Sequence, residues 1–237
     1  MKTVAIVLAA GRGRRMQSEI AKQYLLIRKK PVLYYSLKAF EDSIVDEIVL
    51  VTSESEQEYC QREVIDKYGF RKIKKLVVGG KERYHSVYHG LCAIEECDYV
   101  FIHDGARPFI TPEMIEKIWK EVKAHPAVVA GMPAKDTVKI ADRDNYVKET
   151  PLRRNVWTIQ TPQTFEYALL KKAYDELMLR ERGILDEGIQ ITDDAMVIEH
   201  FAGVKVKLVE GSYRNIKITT PEDLLVAEAF LASQTRI

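Results

Sequence analysis

The chain has 237 residues with 36 basic and 35 acidic side chains, a formal charge of +1, so no whole-molecule field draws it to nucleic acid or an anionic membrane, and any anion site has to be local. Cys60, Cys92 and Cys97 are odd in number and form no CxxC pair, which excludes a disulfide framework and a CxxC zinc or redox motif and leaves reduced thiols. No apolar stretch reaches membrane-spanning length; the expectation is a soluble cytoplasmic protein built as a single domain over 1–237.

The first predicted strand is Thr3–Leu8, which opens into VLAAGRGRRM, where Gly11 and Gly13 alternate with Arg12, Arg14 and Arg15. Two glycines after a buried strand let the backbone approach a ligand closely, and exposed amides with arginines favour phosphate. The dinucleotide fingerprint fails, because Met16 stands where its third glycine belongs, and the Walker pattern is absent; a solvated basic turn is the alternative. Lys22, in AKQYL, adds a further cation, and so many fixed charges suggest a polyphosphate. A helix over Pro31–Phe40, a strand over Glu47–Thr52, a helix over Glu54–Tyr68 and a strand over Lys75–Val78 follow. The last of these ends in GGKERYHSV, with Gly79 and Gly80 at the strand end and Arg83 and Ser86 opening a helix that runs to Glu95. The next strand, Tyr99–His103, leads into HDGARP, placing Asp104 and Arg107 at its end; an Asp before a Gly also serves simply to cap a turn. Thr111-Pro112-Glu113 starts a helix to Lys123 whose apolar face is Met114, Ile115, Ile118 and Val122. A strand over Ala127–Gly131 completes an alternation that reads as βαβ crossovers around a mainly parallel, doubly wound sheet, the α/β class in which ligands collect at the carboxyl ends of the strands.

The rhythm breaks at DTVKIADRDNYVKET, where short segments Thr137–Ile140 and Tyr146–Glu149 flank the turn-rich Asp142-Arg143-Asp144-Asn145. Such a polar hairpin is either a surface excursion or an arm that packs on another subunit. Beyond it Phe165, Leu169, Leu170, Ala173, Tyr174, Leu177 and Met178 are expected on one helix face, and Thr220-Pro221-Glu222-Asp223 starts the last helix. Arg154, Thr161, Thr192 and Lys217 lie in non-helical stretches as a second set of cations and hydroxyls suited to a phosphate. His85 and His89 have zinc-like i, i+4 spacing but no third ligand, and read as surface histidines of a helix. Tyr34-Tyr35 reads as core or interface, and Arg28–Lys30 as a solvated turn.

The segments LAAGRGRRM, KQYL, GGKERYHSV, HDGARP, DTVK, TPQTF, TDDA and NIKITTPEDL, in that order from Leu8 to Leu224, resemble the 2-C-methyl-D-erythritol 4-phosphate cytidylyltransferases of isoprenoid precursor synthesis, enzymes with a Rossmann-like nucleotidyltransferase fold and a protruding β-hairpin arm. The resemblance implies that CTP sits on the Ala9, Ala10, Gly11 and Gly13 loop, with Gly80, Arg83 and Ser86 at its base and Asp104 and Gly105 beside it. It implies that Arg15 and Lys22 stabilise the transition state, while Arg107, Thr137, Arg154, Thr161, Thr192 and Lys217 hold the sugar phosphate. A homodimer is implied too, the arm over 135–154 completing the neighbour's site. A sugar-phosphate dianion can attack the α-phosphorus of CTP without a general base, so catalysis reduces to positioning and cations, Arg15 and Lys22 on the triphosphate and Arg154 and Lys217 on the attacking phosphate. Mg²⁺ would bridge the triphosphate, with Asp104 as its protein ligand; Arg214 stands where some relatives carry a second acid. Two rivals are a ribitol 5-phosphate cytidylyltransferase and a CTP sensor without turnover, the second of which would not need the second cation set.

Overall fold

Residues 1–11, 13, 16 and 20–234 are described by a computed structural model. In chain order the strands are β1 (Thr3–Leu8), β2 (Leu26–Ile27), β3 (Lys30–Pro31), β4 (Glu47–Thr52), β5 (Ile73–Val78), β6 (Tyr99–Asp104), β7 (Ala127–Pro133), β8 (Ile140–Ala141), β9 (Val147–Glu149), β10 (Trp157–Glu166) and β11 (Lys207–Glu210). The helices are α1 (Val32–Glu41), α2 (Gln57–Cys60, continued as a π-helix over Gln61–Asp66), α3 (Arg83–Cys92), α4 (Pro112–Val122), α5 (Tyr167–Asp186), α6 (Asp194–Val197) and α7 (Pro221–Gln234). Seven strands form one sheet in the order β11-β7-β10-β6-β1-β4-β5. β10 pairs antiparallel with both β6 and β7, and the other four pairings are parallel.

Side-chain alternation splits the sheet's apolar residues between two layers. Ala5, Val7, Ile48, Leu50 and Phe101 pack with Leu33, Leu37 and Phe40 of α1 and with Ile115, Ile118 and Val122 of α4. Val4, Ile6, Val49, Val51, Val100 and Ile102 face the other way, against Val87 and Leu91 of α3 and Leu170, Tyr174 and Leu177 of α5. Burial on both faces is why these strands read as unbroken apolar runs rather than as alternating ones. The start of α4 is capped as its sequence demands, since Met114 N–H donates to the Thr111 side chain at 3.3 Å and Pro112 occupies the first turn.

Four expectations need correction. Phe165 belongs to β10 and not to the helix that follows; it packs into the same cluster as Leu170, Ala173, Tyr174 and Leu177, so a strand residue facing α5 mimics the helix's own apolar stripe. Strands β10 and β11 are additional to those read from the sequence, and α3 ends at Cys92, short of Glu95. The hairpin is real but its paired segments are shorter than Thr137–Ile140 and Tyr146–Glu149: Ile140 pairs with Glu149 and Ala141 with Val147, and every residue from 135 to 150 is exposed. With no apolar face to bury against its own chain, the ladder forms only next to the turn.

Candidate active site

The carboxyl ends of β1, β4, β5 and β6 lie along one edge of the sheet, as the parallel pairings of Leu8 with Val51 and with Asp104 and of Thr52 with Val78 require. The loop after β1 is tied down by Ala9 N–H donating to Val51 O at 2.7 Å and by Gln23 Nε2 donating to Ala9 O at 2.6 Å. Gly13 adopts φ +57°, the left-handed region that glycine enters at no steric cost, and the Lys22 methylenes lie 3.2 Å from where a Cβ would stand. Gly79 is needed for close approach instead: a Cβ there would overlap the Ala10 methyl and lie 3.0 Å from Ser86 Oγ. Ser86, in the first turn of α3, accepts from Gly80 N–H at 3.0 Å, so its hydroxyl fixes the loop that faces Ala9.

These pieces enclose a cleft of about 670 Å³ lined by Ala9, Ala10, Gly11, Gly13, Lys22, Gly80, Arg83, Ser86, Asp104 and Lys217, with Lys81 and Gln23 as members that sequence reasoning missed. A second cavity of about 300 Å³ adjoins it, sharing Arg83, Asp104 and Lys217 and adding Arg107, Thr161, Thr192 and Gln160. Two cavities that share a charged wall can hold two anionic substrates side by side.

Asp104 is the centre of that wall. Lys217 Nζ lies 2.8 Å and Arg107 Nε 3.4 Å from its Oδ2, and Arg83 Nε lies 3.5 Å from Oδ1. Burial pushes its pKa up, but Lys217, Arg83 and Arg107 outweigh burial and hold the carboxyl well below the usual range, so it is ionised. Arg83 is anchored from behind by Asp194, which accepts from Arg83 Nη1 and Nη2 at 2.9 and 2.7 Å, is wholly buried, and also accepts from Tyr174 Oη. Gln163 Oε1 accepts from the backbone N–H of Asp194 and Ala195, each at 2.9 Å, and so orders the turn that delivers the carboxylate. Burial lowers the Arg107 pKa, opposed by Asp104, and its Nη1 donates to Asn215 O at 2.9 Å. Behind Asp104, burial brings His103 down to about 3, which leaves it neutral at pH 7.

Of the other residues singled out from sequence, Gly105 is packed against Leu33 and Leu8 O and lines neither cavity. Thr137 and Arg154 are exposed and lie outside both cavities of their own chain. Arg15, with Arg12 and Arg14, lies outside the described residues. The Thr161 hydroxyl accepts from Asp104 N–H at 3.1 Å and contacts His103 Nδ1 at 3.0 Å, so it is already committed inside the protein. His85 Nε2 contacts Glu181 at 2.9 Å and His89 Nδ1 contacts Val78 O; among the described residues no cluster of three His, Cys, Asp or Glu suits a metal ion. No helix among the described residues is long and apolar enough to cross a membrane.

Residues 3–233 match the IspD family, 2-C-methyl-D-erythritol 4-phosphate cytidylyltransferase. The enzyme of that name from Lachnoclostridium phytofermentans is 51% identical over 230 residues, 97% of this chain and 96% of that protein. Its namesake from Caldanaerobacter subterraneus subsp. tengcongensis is 50% identical over 233 residues, 98% of this chain and 99% of that protein. The crystal structure of 4-diphosphocytidyl-2C-methyl-D-erythritol synthase from Anaerococcus prevotii superimposes with a TM-score of 0.85 at 35% identity, covering 98% of this chain and 96% of that one. A cleft at a strand-edge crossover, cation-rich and divided in two, is what such a transfer needs, and the chain belongs to the 2-C-methyl-D-erythritol 4-phosphate cytidylyltransferase family of nucleotidyltransferases.

Proposed function

We propose that the protein transfers the cytidylyl group of CTP to 2-C-methyl-D-erythritol 4-phosphate, releasing pyrophosphate, with CTP in the larger cavity and the sugar phosphate in the smaller. The observation that carries this reading is the shared wall, where Asp104, Lys217 and Arg83 border both cavities. A phosphate monoester with a second pKa of about 6 is mostly dianionic at pH 7 and needs no base, so the work left to the protein is to bring two anions together. Lys217 and Arg107 orient the attacking phosphate from the smaller cavity. Lys22, with Arg15, meets the triphosphate and the charge that accumulates on departing pyrophosphate. Gly79, Gly80 and Ser86 exclude bulk beneath the base.

The donor set fits one Mg²⁺ in a restricted way. Asp104 is ionised and its Oδ1 carries only the long contact to Arg83, whereas Arg214 is turned away, donating to Phe230 O at 2.6 Å and to Ser233 Oγ at 3.0 Å. Asp104 would be the protein ligand, the rest coming from triphosphate oxygens and water, and the ion would supply charge neutralisation on the triphosphate.

In the same reading the whole chain is one cytidylyltransferase domain of the cytoplasm, and residues 135–154 are a dimerisation arm. Tyr146 and Leu152 are 74% and 61% exposed on that segment, apolar surface that a second copy would cover, and Thr137 and Arg154 would then complete the partner's smaller cavity. The test is pyrophosphate release from CTP. It should require methylerythritol phosphate and stop with EDTA; faster turnover with ribitol phosphate, or CTP binding without release, would overturn the reading.

A further inference from the structure

We infer that His103, which lies beneath the floor of the site, is a positioning residue that sets the geometry of Asp104 and Arg107 through a one-way hydrogen-bond chain. Asp104 N–H can only donate, and it donates to Thr161 Oγ1 at 3.1 Å; Arg107 C=O can only accept, and His103 Nε2 lies 3.3 Å from it. Between them the Thr161 hydroxyl and His103 Nδ1 are 3.0 Å apart. Working from the carbonyl end, a neutral imidazole must carry its proton on Nε2, which makes Nδ1 an acceptor and the Thr161 hydroxyl its donor. At the amide end Thr161 Oγ1 accepts from Asp104 N–H and keeps its own proton to give, which is compatible with that direction; the Arg107 carbonyl is the group that fixes it. The chain is Asp104 N–H to Thr161, Thr161 O–H to His103 Nδ1, and His103 Nε2–H to Arg107 O.

This arrangement clamps a turn at both ends. Residues 104–107 are bridged by Arg107 N–H donating to Asp104 O at 2.9 Å, and the outer amide and outer carbonyl of that turn are the two groups the relay holds. Ser36 Oγ supports the same carbonyl at 3.1 Å, and Asn215 Nδ2 donates to Thr161 O at 2.9 Å, so the relay's own members are fixed. His103 is wholly buried with the Phe40 ring edge-on at 5.3 Å, and cannot touch a substrate. The turn it holds carries the carboxylate and the guanidinium that border the sugar-phosphate cavity. Thr161 thus acts through its hydroxyl on the turn.

This inference rests on the proposed transfer reaction for its kinetic consequence but not for its geometry, and the experiment separates the two. In wild-type protein, nitrogen-resolved NMR at pH 7 should find the His103 proton on Nε2; a proton on Nδ1 overturns the relay whether or not the enzyme turns over CTP. In kinetics, Thr161→Val and His103→Leu should each lower kcat/KM for the sugar phosphate by about tenfold, the effect of stranding one buried polar group, with a smaller rise in KM for CTP, because Arg107 lines the smaller cavity alone whereas Asp104 borders both. Thr161→Ser, which keeps the hydroxyl, and His103→Asn, which keeps an acceptor near Nδ1, should recover most of the loss. The Thr161→Val/His103→Leu double variant should be no worse than the poorer single, because both break one chain. Multiplying losses, or equal losses on both substrates that follow a fall in melting temperature, would overturn the inference. Absence of pyrophosphate release by wild type would count against the transfer reaction and leave the tautomer result standing.

Discussion

Replacing Asp104 with Asn keeps the shape of the side chain and removes the one negative charge that three cations surround. Lys217, Arg107 and Arg83 are 35%, 12% and 28% exposed, against 10% for Asp104. Removing one partner of a buried ion pair costs about 3–5 kcal/mol, and the partial exposure of the cations places this case near the lower end, at about 3 kcal/mol. In a chain of this length that is a fall of about 6–12 °C in melting temperature. The sign with pH follows from the depressed carboxyl. Its stabilisation is fully present above the unfolded-state value of about 3.9 and is lost as pH falls below it toward the folded-state value. The gap between wild type and Asp104→Asn should therefore be constant from about pH 7 to pH 5 and narrow below pH 4. Urea unfolding in EDTA measures it. A second arm adds pyrophosphate, which should raise the melting temperature of the variant more than that of wild type, because the stranded cations are then neutralised. A variant as stable as wild type at pH 7, or one that gains no more from pyrophosphate, would refute the view that Asp104 restrains those cations.

Gly79→Ala should weaken CTP binding at least about tenfold by calorimetry, since its methyl collides with Ala10 and crowds Ser86. Lys22→Ala should lower kcat at saturating substrates, because its contact strengthens as charge moves to the leaving group, whereas Lys217→Ala should also raise KM for the sugar phosphate; an effect of Lys217→Ala on CTP alone would contradict its assignment. Lys22→Ala and Arg154→Ala, each inactive, should rescue one another on coexpression to at most about a quarter of wild-type activity under random pairing, and to at most about half once the doubly tagged mixed dimers are isolated. Confirmed mixed dimers that stay inactive would place Arg154 in its own chain's site.

The parallel strands were legible because burial on two faces writes them as continuous apolar runs, as in Val4–Val7 and Ile48–Val51. Strand β10 was not, for a specific reason: Gln160, Thr161, Gln163 and Thr164 are buried polar residues, so the segment lacks the apolar signature of a central strand. Gln160, Thr161 and Gln163 have partners in Ser212, His103 and the 193–195 turn, remote in sequence and invisible to any local pattern. The nucleotide loop could be found from its glycines and cations, each of which follows a recognisable strand. The Arg83–Asp194 pair could not, because 111 residues separate its members and only TDDA in the sequence hints at the carboxylate. Arg107 was read as a substrate ligand, and its ties to Asp104 and Asn215 add a structural duty that its sequence neighbours do not reveal.

In the proposed reaction the sugar phosphate attacks the α-phosphorus directly, with cations and positioning as the protein's contribution and no group of the protein as an intermediate acceptor. Ser86 Oγ, the hydroxyl that lines the larger cavity among the described residues, is bonded to Gly80 N–H and Glu82 O, and His103 is sealed behind Asp104. The stereochemical course at that phosphorus distinguishes one displacement from two. With CTP made chiral by one α-sulfur and methylerythritol phosphate as acceptor, a single displacement inverts the configuration, and inversion is the predicted result. Retention would mean two displacements through a nucleotidylated side chain, and would contradict it.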